Sequence, residues 1–327
     1  MRSEPHPPYS RHMTFALRRL ERNDIPRAFR LLHAVHPCRV LSEESLRWRF
    51  DHPHPGVRDT EYVAVDTAGA LVGFVRSRLI VSEDRPGNGY TTLLSVAETH
   101  RGSDLAARLL ETSEKHLLGQ GATSLRAEAA DEGVQAGGPH FAELLRGKNY
   151  EPLESHHVLA LDLSTLPDLP PTPHGVELRP FEDFSDDPRP LYEIDRTTTR
   201  DEPGGLTQDN DFPSFEEWHE HIWPHPLVAL DLSLAALVNG ELAGITCHHS
   251  DHGTRMESAM TGMLAPFRGH GLAAYAKTAA LHRARERGIT HAYTGNHSDN
   301  APMLAINNRL GYTLAGTETV LGRGPDR

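Results

Sequence analysis

The sequence predicts an α/β protein made of two tandem copies of one unit, each a twisted central mixed β-sheet flanked by helices. Three observations carry that expectation. Four landmarks occur twice in the same order, the apolar pattern switches repeatedly between strand and helix periods, and the composition suits a sizeable core. With 327 residues, 38% hydrophobic and 24% charged, the chain has room for two ordinary soluble domains.

The repeated landmarks fix the units. "FALRRLERND" from Phe15 matches "VELRPFEDFSDD" from Val176, each an alternating strand running into an acidic helix start. "WRFDHPHP" from Trp48 matches "WHEHIWPHP" from Trp218, and an apolar strand follows each, "EYVAVD" or "LVALDL". "LLSVAETHRGSDLAARLL" from Leu93 matches "TGMLAPFRGHGLAAYAKT" from Thr261, and "LLRGKNYEPL" from Leu144 matches "NNRLGYTLAG" from Asn307. The pairs Leu17/Leu178, Trp48/Trp218, Arg101/Arg268 and Tyr150/Tyr312 are offset by 161, 170, 167 and 162 residues. Chance matches would scatter more widely, so duplication with small insertions is the reading. The expected organisation is a tail over 1–13, a first unit over 14–163, a linker over 164–175 and a second unit over 176–327. The linker, "STLPDLPPTPHG", carries four prolines and reads as stiff.

In the second unit the expected order is a strand over 176–181, a helical region over 186–222 interrupted by "DEPGG", and a strand "LVALDLSLAALV". A hairpin follows, "ELAGITCHH" and "TRMESAMTGML" joined around "SDHG", whose Asp and Gly are turn residues. A long helix over 270–287 stops at Gly288. A strand "HAYTGN", a short helix "APMLAINNRL" and two final strands near Tyr312 and Val320 complete the unit.

Charge and cysteine content narrow the function classes. The formal net charge is −12 with no clustered Lys/Arg block, which argues against a nucleic-acid surface and favours cationic or amine-bearing partners. Cys38 and Cys247 lie far apart without ligand or redox spacing, so no metal site is expected and a cytoplasmic location is. The first residues hold no signal-like apolar run, and no stretch approaches a membrane span.

The segment from Thr261 to Ala280 runs an apolar strand into Pro266 and then Arg268-Gly269-His270-Gly271 before an alanine-rich helix. Exposed backbone N–H groups at such a helix start can surround an anion, and glycines let the backbone come close to it. "RGHGLA", from Arg268 to Ala273, resembles the Arg/Gln-x-x-Gly-x-Gly/Ala acyl-CoA pyrophosphate loop of the GNAT (GCN5-related N-acetyltransferase) superfamily. "TGNHSDNAPMLAINNRLGY", from Thr294 to Tyr312, is similar to the second motif of that family: a strand, an Asn-led helix and Leu-Gly-aromatic. The chain thus resembles a tandem GNAT protein, with a two-domain plan similar to that of mycothiol synthase. Its Asn307 departs from the tyrosine that enzyme carries there.

The resemblance implies acetyl-CoA, or another acyl-CoA, as co-substrate and no metal. It assigns Met263, Leu264, Ala265, Arg268, Gly269, His270, Gly271, Leu272 and Ala273 to its binding, joined by Asn300 and Met303. A strand that splays before the loop is part of the family plan, with Met263 and Ala265 offering backbone groups to pantetheine and the thioester carbonyl. The first unit carries Asp104 where the second has Gly271, and Asn149 where the second has Gly311 before Tyr312. A carboxylate there opposes a pyrophosphate, so the active site is expected in the second unit.

Transfer to an amine needs a base. Glu257, eleven residues before Arg268, has a placement that resembles the general-base glutamate of histone-type GNAT enzymes; it also reads as a solvated strand carboxylate. A tight hairpin pairing Ser250 with Thr254 sets His249 opposite Arg255 and Cys247 opposite Glu257, with all four on one face. A one-residue slip destroys that grouping. His249 is therefore the second catalytic candidate. Asn307 cannot protonate a departing thiolate, and water or His297 is left for that step. The expected function is acyl transfer from acetyl-CoA to a primary amine of a small molecule, such as a specialised metabolite or antibiotic, by direct attack in a monomer or homodimer. The competing readings are a peptide or protein N-acetyltransferase and a non-catalytic acyl-CoA-binding module.

Overall fold

A computed structural model describes residues 14–81, 87–200 and 212–324. In chain order the elements are β1 (Phe15–Arg19), α1 (Ile25–Val35), α2 (Glu43–Asp51), β2 (Val57–Asp66), β3 (Leu71–Ile80), β4 (Asn88–Val96), α3 (Leu105–Gly119), β5 (Ser124–Ala130), α4 (Gly138–Gly147) and β6 (Glu151–Asp162). They continue with β7 (Val176–Pro180), α5 (Arg189–Thr199), α6 (Phe215–His221), β8 (Leu234–Val238), β9 (Glu241–Ser250), β10 (Arg255–Met263), α7 (Leu272–Glu286), β11 (His291–His297), α8 (Ala301–Arg309) and β12 (Thr313–Arg323). Among the described residues no helix is long and apolar enough to cross a membrane.

Two compact units divide this chain. One comprises 1–37, 53–153 and 319–327, the other 38–52 and 154–318. These spans differ from a cut at the proline linker: α2, most of β6 and the start of β12 lie in the second unit, while the end of β12 lies in the first.

The first unit orders its strands β1-β2-β3-β4-β5, antiparallel except for the parallel β4/β5 pair. Alternation along β3 and β4 and the 3.6 period of α3 place Val75, Leu79, Leu94, Leu105, Leu109 and Leu117 in one core with Tyr150 and Leu321. The Tyr150 hydroxyl donates to the buried Glu114 carboxylate at 3.0 Å, so the polar end of that ring is satisfied.

The second unit orders its strands β6-β11-β10-β9-β8-β7. β6/β11 is antiparallel, β10/β11 parallel and β10/β9 antiparallel. β12 lies against β6, with the Thr313 hydroxyl donating to the Ala160 carbonyl at 3.4 Å. α7 packs over the face that carries Met256 and Met263, burying Leu272, Tyr275, Ala276, Leu281 and Ala284. α5 covers the other face, with Leu191 and Ile194 against Ile245 and Ala235. Local chemistry fixes the helix starts. Ser214 accepts from the amide of Glu217, whose carboxylate accepts in return from the Ser214 amide, a capping box that opens α6.

Three sequence expectations change. "LVALDLSLAALV" is a strand only from Leu234: Leu232 N–H and Ser233 N–H both bond back to the Ala229 carbonyl, turning the chain before β8 begins. The two final strands are one, Thr313–Arg323. The helical region over 186–222 holds α5 and α6 among the described residues, and its expected interruption at 201–205 lies outside them. The β9/β10 register is two residues away from the tight hairpin, because the connection takes 251–254 and pairs Ser250 with Met256. A shift of two preserves the faces. His249 therefore stays on the face of Glu257 and now lies directly opposite it.

Candidate active site

β10 and β11 are hydrogen-bonded only from Arg255/His291 to Glu257/Tyr293. Beyond that point a bulge at Ala259 interrupts the pairing with β9, and Ser258 to Met263 have no partner on the β11 side. A cavity of about 700 Å³ enters this gap, lined by Ser258–Met263 from β10, Thr294–Asn296 from β11, the start of α7 and the start of α8. Gly262 admits the Thr198 side chain of α5 where a Cβ would overlap its hydroxyl and Cβ atoms.

The mouth is built by the glycine loop. Gly269 and Gly271 have φ of +82° and +76°, a conformation glycine adopts without strain, and Gly271 caps α7. No side chain caps this helix, and the amides of Leu272, Ala273 and Ala274, all on the cavity wall, make no hydrogen bond among the described residues. Amides left open at a helix start are the kind of group that can hold an anion. Arg268 Nε donates to the Met263 carbonyl at 2.7 Å, tying the loop to the end of β10. Asn300 caps α8, its Oδ1 accepting from Met303 N–H at 3.3 Å. Of the cofactor candidates, Met263, Arg268, Gly269, Gly271, Leu272, Ala273, Asn300 and Met303 line the cavity, whereas Leu264, Ala265 and His270 do not.

The corresponding loop of the first unit differs in backbone as well as charge. Gly102 keeps a φ of +78°, but Asp104 sits at −76°, and the Ser103 hydroxyl accepts from Leu105 N–H at 3.3 Å. One amide of that helix start is thus taken by a side chain, beside a smaller cavity of about 420 Å³.

Glu257 and His249 do not line the large cavity. Glu257 points to the opposite face from Ser258, as alternation requires. Desolvation pushes the Glu257 carboxyl up to about 7, opposed by the charge of Arg39, itself ion-paired with Glu318. Burial holds His249 down to about 4 and His225 likewise, with the positive charge of Arg49 adding to both, and the two rings lie 6.4 Å apart. The partly buried Cys247 thiol is pushed up to about 12 by desolvation, which disfavours the thiolate a nucleophile needs. Trp218 and Trp223 pack in the interior, Trp218 Nε1 donating to Asp195 at 3.1 Å, and neither lines the cavity. His297 lies edge-on to His156, 5.6 Å away, also off the cavity wall.

Sequence reasoning missed the inner wall. Lys277, 1% exposed, lines the cavity and donates to Asn307 Oδ1 at 2.6 Å; Asn307 Nδ2 donates to Asn296 Oδ1 at 2.6 Å. The Lys277 ammonium lies 5.4 Å from the Tyr312 ring centroid. A signal was available: with Ala280, Leu281 and Ala284 at helical spacing, Lys277 falls in the middle of an apolar stripe, where an ionisable group needs a reason.

Comparison with known proteins gives this geometry its family. The model of the acetyltransferase (GNAT) family matches residues 25–137 and again 189–312. No curated protein sequence matches the chain. Among solved structures, it is similar to a tandem GNAT protein from the clavulanic acid biosynthesis pathway, solved without AcCoA (18% identity, 96% of this chain and 100% of that one, TM-score 0.72). A GCN5-related N-acetyltransferase from Sphaerobacter thermophilus is alike at 17% identity, over 95% of both chains, with a TM-score of 0.68. The glucosamine N-acetyltransferase region of a fungal multi-domain GH3 β-N-acetylglucosaminidase matches at 15% identity, over 95% of this chain and 38% of that one, with a TM-score of 0.62. With both of its matched segments together covering more than half of its length, the chain belongs to the acetyltransferase (GNAT) family, as a tandem-domain N-acetyltransferase.

Proposed function

We propose that the second unit transfers an acetyl group from acetyl-CoA directly to a primary amine of a small molecule. The observation that carries this reading is the gap between β10 and β11, entered by a cavity whose mouth is an unsatisfied helix start. The free amides of Leu272 to Ala274 and the positive end of α7 would hold the pyrophosphate, with Gly269 and Gly271 allowing close approach. The unpartnered edge of β10 between Ser258 and Met263 would offer backbone groups to the pantetheine arm and to the thioester oxygen, on which charge develops.

The amine arrives from the Glu257 face and the thioester from the Lys277 face, and they meet at the gap. Glu257, whose carboxyl titrates near neutrality, accepts the proton the nitrogen sheds, directly or through one water. His249, opposite Glu257 and neutral, borders that approach. Two similar structures favour a small acceptor: one is a protein from the clavulanic acid biosynthesis pathway and another is a glucosamine N-acetyltransferase region. We place the enzyme in the cytoplasm, as a monomer or homodimer, in keeping with two cysteines that lie far apart in sequence without ligand or redox spacing.

The test is calorimetric titration with acetyl-CoA, then CoA release measured over a panel of amino sugars, other small amines and peptide N-termini. One equivalent bound and turnover on small amines is expected. Absence of binding rejects the proposal, binding without turnover on any amine leaves a binding module, and turnover on peptides alone moves the acceptor class.

A further inference from the structure

The cavity grades from exposed to buried. Gly269 and Gly271 at the mouth are exposed, as are the charged residues Arg268, Asp299 and Arg309; Ser258, Thr294 and Lys277 at the inner end are buried. Among the described residues, Lys277 is thus the one ionisable side chain of the cavity wall that is buried. It lies six residues past Gly271, about 9 Å further along the α7 axis. A molecule anchored by its phosphates at the mouth therefore reaches Lys277 with its other end.

The surroundings of Lys277 are unusual for a structural lysine. No carboxylate pairs with it among the described residues. Its one hydrogen bond goes to Asn307 Oδ1, and the Asn307 amide is fixed in that orientation by donating to Asn296. An ammonium carries three donors, so two are uncommitted. The groups facing it are His248 from β9, held neutral by burial, the Tyr312 ring just before β12, Ser258 from β10, and the two asparagines from α8 and β11. The other acid among them, the Tyr312 phenol, is pushed up by burial and is the weaker proton donor.

We propose that Lys277 is the catalytic acid that protonates the sulfur of the departing CoA. The proposal rests on the acyl-CoA reading of the cavity. The acceptor nitrogen bonds to the acyl carbon, the carbon–sulfur bond breaks with its electron pair on sulfur, and the Lys277 ammonium gives sulfur a proton. The proton shed by the nitrogen leaves through Glu257 or water, and Lys277 is recharged from solvent, so amine and thioester become amide and thiol. Burial pushes the Lys277 ammonium down to about 7, which makes it a stronger acid than an alkyl thiol, with its usual pKa of about 8.5. Transfer therefore runs downhill.

The test needs no acceptor. The thiol of bound CoA is titrated by the ultraviolet absorbance of its thiolate, in wild type, Lys277→Met and Lys277→Arg. An ammonium beside the sulfur lowers the thiol pKa only while it stays charged, and Lys277 loses its charge over about pH 7, so Lys277→Arg, charged throughout, carries the full effect. Lys277→Arg is expected to lower the thiol pKa by about one pH unit relative to Lys277→Met, with wild type between the two. Equal thiol titrations in Lys277→Arg and Lys277→Met overturn the role of Lys277. Failure of CoA to bind at all rejects instead the acyl-CoA reading on which the proposal stands.

Discussion

Replacing Gly271 with Asp tests the anion site most directly, because it installs in the second unit the residue the first already carries. No atom outside its own chain neighbours lies within 4 Å of a Cβ built at Gly271, so nothing clashes. The φ of +76° alone costs a side chain about 1–2 kcal/mol, with Asp and Asn at the lower end. The carboxylate adds repulsion of about 1 kcal/mol at 4 Å from one phosphate charge in water-like surroundings, which the exposure of Gly271 makes appropriate. Two phosphate charges and some exclusion of water bring the loss to roughly 2–3 kcal/mol, or about 30- to 150-fold in Kd. Gly271→Asn separates the terms, having the same shape and backbone demand without the charge. Titration of all three proteins with acetyl-CoA at low and high salt is the assay. Asp is expected to bind at least tenfold more weakly than Asn, the difference shrinking as salt rises. Equal affinities at low salt would refute a phosphate at this loop.

Four further outcomes follow from the geometry. Asp104→Gly in the first unit creates no second equivalent of acetyl-CoA binding, since Ser103 occupies the helix start and the backbone at 104 is already right-handed; calorimetric stoichiometry checks this. Glu257→Gln lowers kcat by about a hundredfold with little change in acetyl-CoA affinity, and removes the rise in activity through about pH 7 that deprotonation of Glu257 produces. The folded state also holds the Glu257 proton more tightly than the unfolded chain, so Glu257 costs stability as pH climbs from about 4.5 to about 7; thermal unfolding of Glu257→Gln against pH should lack that contribution. Gly262→Ala drives a methyl group into Thr198 and destabilises by about 1–3 kcal/mol in denaturant unfolding, whereas adding Thr198→Ala recovers much of the loss; strict additivity would deny the contact.

The repeat made the α/β plan and the anion loop legible, because glycines at a strand-to-helix handover are demanded by backbone geometry and leave a local mark. The gap between β10 and β11 left no such mark, since a missing hydrogen-bond ladder depends on where a distant strand lies. The register of β9 against β10 was misjudged because the connection length decides it, and 251–254 is longer than a tight turn. His249 and Glu257 nonetheless came together, since a shift of two residues leaves the faces unchanged. Lys277 was visible as a polar interruption in "LAAYAKTAALH" but was overlooked, because its meaning lies in the asparagine of α8 that receives its hydrogen bond.

The division of β12 bears on the order in which the protein can be made. Leu321, among the last residues of the chain, belongs to the core that Phe15 opens, and Thr319 to Arg323 fall within the first unit. A ribosome releasing this chain therefore delivers the N-terminal half long before the segment that completes its interior. The interior of the first unit therefore waits until the second has been synthesised, and deleting the segment from Thr319 to Arg323 would injure the unit of the pair that was translated earlier.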